Sequence, residues 1–270
     1  MSHELRYAAN CSMLFTELPL LERPAAAKEA GFSAIEFWWP WPDQPVPPDS
    51  AVDAFVAAIR DADIPLIGLN FFAGDLAGPD AGVVSLPERS SAFRDNIAVV
   101  AGIGQALGVA GHNALYGNRI DGVPAEEQDE LATENLILAA DAIAGYSASV
   151  LVEPVSGPKP YPLRTADQVM AVVDRVGRDN VGFLCDLFHL ANNGDDIDAA
   201  LERYGSRIAH VQIADHPGRG EPGSGQLDLD RYLTTIAAGG YTGYVAAEYK
   251  PTTTTSASLG WLNLREGSSS

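Results

Sequence analysis

The chain has 270 residues, 46% of them apolar, with 17 Lys and Arg against 36 Asp and Glu. That apolar share belongs to a globular protein rather than a disordered one, and the length suits one large α/β unit. A formal charge of −19 with no clustered Lys and Arg excludes the basic footprint that nucleic acid or an anionic membrane surface requires.

Short β-branched or aromatic runs alternate with longer Ala-rich amphipathic ones. A strand over 5–10 precedes a helix over 20–30, and a strand over 33–38 leads through a Pro-rich loop, 40–48, into a helix over 50–63. The pattern repeats as strand 65–71 and helix 86–107, strand 109–115 and helix 125–146, then strand 149–153 and helix 165–176. Strand 181–186 with helix 197–204, strand 208–212 with helix 229–238, and strand 243–248 complete the series. Asp49 or Ser50, Thr165 and Asp228 are expected helix starts, and Gly31, Gly108, Gly177 and Gly239 expected ends. Eight such units in about 250 residues predict a TIM (β/α)8 barrel in one domain, with a short tail from about 252. A doubly wound sheet is the alternative.

The N-terminus lacks a basic segment followed by a long apolar run, and nowhere do about 18 apolar residues follow one another. Cys11 and Cys185 cannot build a disulfide framework and favour a reducing compartment. A soluble cytoplasmic protein is expected.

A barrel builds its chemistry where the strands end. Here SVLVE closes on Glu153, VGFLCD on Asp186, IAHVQ on Gln212 and GYVAAE on Glu248, while Glu36 stands toward the end of the second strand. Any one of these could simply begin a loop. Barrel closure would gather four consecutive ends, whose three carboxylates would repel unless protonated or neutralised by a cation, and oxygen ligands suit Mg²⁺ or Mn²⁺. His189, three residues after Asp186, becomes a candidate for holding a substrate oxygen; alone it reads as a loop histidine. His210 lies on the face of Gln212 and reads as packing or support, whereas His112 and His3 carry little signal. The loop DHPGRGEPGSGQ presents Arg219, whose planar fork matches a carboxylate, and Glu221.

Gly102, Gly104 and Gly108 imitate a dinucleotide fingerprint, but the next strand begins at once after Gly108 and leaves no helix for a pyrophosphate. Neither a nicotinamide nor a flavin is expected. No nucleophile elbow, Cys-x-x-Cys pair or His-Glu-x-x-His run occurs.

HVQIADHPGRGEPGSGQLDLDRYL and EYKPTTTTSASLGW, with NCSMLF, AGFSAIEFWWPW, FFAGDLA and FRDNI, closely resemble the hydroxypyruvate isomerase family of xylose-isomerase-like barrels. The resemblance implies a divalent metal held by Glu153, Asp186, Gln212 and Glu248, with Glu153 and Glu248 as the acid/base pair. It also implies His189 and Arg219 beside a small-molecule substrate, and Arg219 or Lys250 on its carboxylate; Glu36 and Glu221 complete the expected substrate contacts. The implied reaction moves a carbonyl between adjacent carbons, from hydroxypyruvate to tartronate semialdehyde or in a close 2-oxo acid such as 2-oxo-tetronate. Gln212 favours this branch over the ketose 3-epimerases, which usually carry His there. PVSGPKPYPL after Glu153 departs from the family's usual Asn, and ALYGN replaces a cysteine-containing fourth strand end. A 3-epimerase or sugar isomerase, an apurinic endonuclease and a barrel without chemistry are the rivals. Assembly into a homo-oligomer stays open.

Overall fold

A computed structural model describes residues 4–76 and 78–262; residues 1–3, 77 and 263–270 lie outside that description, and with them His3 and the end of the tail. The strands are β1 (Arg6–Asn10), β2 (Ala34–Phe37), β3 (Leu66–Leu69), β4 (Gly111–Asn113), β5 (Ser149–Val152), β6 (Val181–Asp186), β7 (Ile208–Ile213) and β8 (Tyr244–Ala247). They pair in parallel in chain order, and β8 returns to β1 to close the barrel. Closure removes both sheet edges, so the architecture is a TIM barrel and not a doubly wound sheet.

The period of two along each strand sorts the side chains. Ile35, Phe37, Val150, Val152, Phe183, Val211 and Val245 point outward and join the core formed with the helices. Ala8, Ala34 and Ala246 instead form a small separate cluster, in register across β1, β2 and β8. Two residues further along those strands stand Asn10, Glu36 and Glu248, on the same inward face and one layer nearer the mouth. The lumen is thus small and apolar below and polar above.

The helices are α1 (Arg23–Glu29), α2 (Asp49–Ala62), α3 (Ser90–Leu107), α4 (Ala125–Ile143), α5 (Ala166–Val176), α6 (Leu187–Asn193), α7 (Ile197–Tyr204) and α8 (Leu229–Ala238). Thr165 caps α5 through a capping box with Gln168, and Asp228 caps α8 by accepting from the Arg231 N–H. The glycine-rich decoy resolves as expected: Gly102 and Gly104 lie inside α3, and Gly108 ends it with φ of 69°. Helix α6 differs from the sequence reading, which left these residues as loop. It starts directly on β6 with no connecting loop, Asp186 being both the last strand residue and the N-cap, and its signals are its caps: Asp186 accepts from the His189 N–H, and Gly194 ends it at φ 75°. No described helix is long and apolar enough to cross a membrane.

Candidate active site

The four expected strand ends converge at one mouth of the barrel. Asp186 closes β6 and Gln212 is the penultimate residue of β7, while Glu153 and Glu248 each stand one residue beyond their strand, after Val152 and Ala247. All four are buried. The Asn113 amide donates to Glu153 Oε1 at 2.6 Å, and Glu153 Oε2 has no partner. Glu248 is held from several sides. Its Oε1 accepts from Trp38 Nε1 at 2.6 Å and Asn10 Nδ2 at 3.1 Å, and its Oε2 is ion-paired with the Arg219 guanidinium. His189 lies beside Asp186, its Nε2 3.7 Å from Asp186 Oδ2. Because the Ser156 N–H donates to His189 Nδ1 at 3.0 Å, the proton of the neutral ring is assigned to Nε2, which is too far from Asp186 Oδ2 to hydrogen-bond it.

Burial and mutual repulsion leave these carboxylates short of positive charge. Glu153 is pushed well above the ordinary carboxyl range by burial and then by the charges of Glu248 and Asp186. Asp186 is pushed up to about 7 by burial and by Glu248. Glu248 is also raised by burial, although Arg219 opposes it. His189 is held neutral, well below its usual value, by burial and by the nearby Arg219 and Arg164 charges. Arg219 remains charged: burial works against it, and the three carboxylates outweigh burial.

Glu36 behaves in the opposite way. Burial opposes its ionisation, yet the His210 charge and hydrogen bonds from His210, Gln212 and Asn10 hold it below the ordinary range. His210 Nε2 lies 2.6 Å from Glu36 Oε2, and the Gln212 amide donates to Glu36 Oε1 at 2.7 Å. That bond turns Gln212 Oε1 away from Glu36, where it is buried without a partner. Gly68 makes room for this: a Cβ there would come within 2.9 Å of the Glu36 Cβ.

The loop after β7 is organised by Asp215, whose carboxylate accepts from the N–H groups of His216, Gly223 and Leu227 at 2.8 to 3.0 Å. Arg219 stands on this loop at φ 59°, a left-handed conformation uncommon outside glycine. Glu221, also on the loop, faces Thr252, which donates to it through both its N–H and its hydroxyl.

These side chains border a cavity of about 180 Å³ lined by Trp38, Glu153, Ser156, Lys159, His189, Arg219 and Glu248 among others. Its size suits a metabolite of few carbons rather than a drug-sized ligand. Of the expected substrate contacts, His189 and Arg219 line it and Glu36, Glu221 and Lys250 do not. The physical reasons differ: Glu36 is consumed by its own partners, Glu221 is tied to Thr252, and Lys250 is exposed past the strand end.

The donor set fits a divalent cation. Three buried carboxylates face one guanidinium, and the unpaired Glu153 Oε2 and Gln212 Oε1 are both oxygen donors. Glu153, Asp186 and His189 bring one ligand atom each within 4.8 Å of one another. That trio includes His189, which the sequence reading reserved for substrate, and omits Glu248, which is turned toward Arg219 and Trp38. Sequence reasoning also passed over Asn10, Trp38, Asn113, Ser156 and Lys159. Asn10 and Asn113 end β1 and β4 just as the carboxylates end theirs, so the available signal was position rather than charge.

The model of the xylose isomerase-like TIM barrel family matches residues 24–265. A putative hydroxypyruvate isomerase of Streptomyces coelicolor is 52% identical over 95% of each chain. Hydroxypyruvate isomerase of Escherichia coli is 31% identical, covering 96% of this chain and 98% of its own. A 2-oxo-tetronate isomerase of Haemophilus influenzae is 31% identical over 95% and 98%. Among solved structures, an AP endonuclease, family 2, from Brucella melitensis superposes with a TM-score of 0.87 at 31% identity, over 96% and 98%.

Proposed function

We propose that this chain, which belongs to the xylose isomerase-like TIM barrel family in its hydroxypyruvate isomerase branch, interconverts hydroxypyruvate and tartronate semialdehyde or a close 2-oxo acid such as 2-oxo-tetronate. The observation that carries this reading is the set of three buried carboxylates, Glu153, Asp186 and Glu248, with one guanidinium among them; two of the three, Glu153 and Glu248, line a small cavity. The oxygen-rich donors support Mg²⁺ or Mn²⁺, with Glu153, Asp186, Gln212 and Glu248 as the proposed ligands. A bound divalent cation would polarise the substrate carbonyl and offset the negative charge that develops on its oxygens.

The side chains divide the rest. One of Glu153 and Glu248 removes a proton from the hydroxymethyl carbon, and the pair returns a proton to the neighbouring carbon as the hydroxyl proton changes oxygens. Glu153 Oε2, without a partner, is an atom that can carry that proton; Glu248 is oriented by Trp38 and kept ionisable by Arg219. His189, with its proton on Nε2, donates to a substrate oxygen.

The acidic chain and the buried, unpaired thiols of Cys11 and Cys185 support a cytoplasmic setting without nucleic acid or membrane partners. The same lack of a basic face argues against an endonuclease reading for this chain, whatever its neighbours do.

The test is proton NMR in D₂O with Mg²⁺ and Mn²⁺, using hydroxypyruvate, 2-oxo-tetronate and common ketoses. Deuterium entering the hydroxymethyl carbon of a 2-oxo acid supports the reading. Faster turnover of a carboxylate-free ketose would replace it with a sugar isomerase or 3-epimerase.

A further inference from the structure

Two cationic side chains line the cavity, Arg219 and Lys159. The charge of Arg219 is already committed, although its Nε is buried without a hydrogen-bond partner. It is ion-paired with Glu248, and the charges of Asp186 and Glu153 further hold it in place. Three carboxylates and one guanidinium leave an excess of two negative charges at the barrel end, which a divalent cation would only bring to neutrality. No net positive charge there is left over for the carboxylate of a substrate.

Lys159 is different. It stands in the PVSGPKPYPL segment after Glu153, on the loop that leads from β5 to α5. Its Nζ donates to two main-chain carbonyls of the loop after β3, that of Leu76 at 3.1 Å and that of Asp80. Carbonyls satisfy donors without cancelling charge. The Asp80 carboxylate does not cancel it either, because Oδ2 accepts from the Asp75 N–H at 2.9 Å and lies 3.4 Å from Arg89. An ammonium carries three N–H bonds, so one is left for the cavity once the two carbonyls are served.

We propose that Lys159 binds the carboxylate of the substrate and sets the preference of the site for 2-oxo acids over uncharged ketoses, while Arg219 serves Glu248. The assignment replaces the expectation of Arg219 or Lys250 in that role, and it rests on the 2-oxo acid reading of this same site. It places the charged end of the substrate at the β5 loop and the reacting carbons toward Glu153 and Glu248.

The experiment compares wild type, Lys159→Met and Lys159→Arg on hydroxypyruvate and on dihydroxyacetone, which has a hydroxymethyl group where hydroxypyruvate has its carboxylate. Solvent-deuterium exchange is followed by proton NMR at fixed Mn²⁺. Lys159→Met should raise KM for hydroxypyruvate by about 10- to 100-fold with kcat little changed, as expected for loss of a charge-assisted hydrogen bond. Exchange into dihydroxyacetone should stay at the wild-type rate, and Lys159→Arg should recover most of the hydroxypyruvate KM. An unchanged KM in Lys159→Met overturns the assignment. So does a parallel loss on both substrates, which would reduce Lys159 to a tie between loops. If wild type exchanges neither compound, the functional reading fails by itself. Calorimetric titration of wild type and Lys159→Met with hydroxypyruvate then decides the anchor: equal affinities refute it, and weaker binding by the variant upholds it.

Discussion

Asp186→Asn should stabilise the metal-free protein, and the gain should grow with pH. Burial and the Glu248 charge push the Asp186 carboxyl from its ordinary 3.8 to about 7. A carboxyl with a raised folded pKa binds its proton more tightly in the native state, so stability is lost as pH rises from about 4 to about 7 and stays lost above. At about 1.4 kcal/mol per pH unit, the cost at pH 8 reaches about 4 kcal/mol. Asparagine removes that cost, and its carbonyl oxygen can still accept from the His189 N–H and cap α6. Thermal melts in EDTA should place the variant roughly 10 °C above wild type at pH 8, given about 2–4 °C per kcal/mol for a domain of this size. The gap should narrow toward pH 5, where Asp186 keeps its proton and has little cost left to remove. The comparison also cancels the neutral buried His112, whose lowered pKa makes stability fall with acid in both proteins. A variant no more stable than wild type at pH 8, or a gap that does not change with pH, would refute the charge argument.

Glu153→Gln and Glu248→Gln should each lower solvent-deuterium exchange into the substrate by at least about 10²-fold with circular dichroism unchanged, the usual scale of general acid–base help; exchange at the wild-type rate would remove that residue from the mechanism. Gly104→Ala would press a methyl group against Tyr146 Oη and to 2.7 Å from His112 Nε2. It should cost about 1–3 kcal/mol, read as a lower urea midpoint at unchanged slope. Thr165→Ala removes the capping box of α5 and should cost about 1 kcal/mol in the same assay.

The barrel was legible because its strands carry two independent signals. Their outward residues are β-branched or aromatic, and their inward residues end on oxygen-bearing side chains, so a run such as SVLVE announces both a strand and its mouth. The candidate site was legible only as far as charge made it visible. Glu153, Asp186 and Glu248 stand out against apolar runs, whereas Asn10 and Asn113, uncharged and already counted within strands 5–10 and 109–115, carry no such contrast. Contacts set by loop folding were not legible at all. Whether Arg219 faces Glu248 or solvent depends on the Asp215 hydrogen bonds and a left-handed backbone, and neither can be read from Gly and Pro content. Helix α6 was hidden for another reason: it begins on the last residue of β6 with no loop between them, so only its caps mark it.

Four buried carboxylates occupy one small volume at the mouth, and the fold treats them in two ways. Glu36 has its partner built in, since His210 lies on the inward face of β7 below Gln212 and its Nε2 meets Glu36 Oε2 at 2.6 Å. That pair is complete without any ligand, and its remaining acceptor capacity is spent on Asn10 and Gln212. Glu153, Asp186 and Glu248 share one guanidinium, and Glu153 keeps an oxygen with no partner. Burying an uncompensated carboxylate is costly, so such an arrangement persists where something else supplies the missing charge. The completed pair below supports that reading in a second way. By accepting from the Gln212 amide nitrogen, Glu36 fixes which end of the amide faces away and leaves the carbonyl oxygen for the site above. On the proposed reading, the deeper Glu36–His210 hydrogen-bonded pair would form the floor of the site, and the unbalanced trio its working surface.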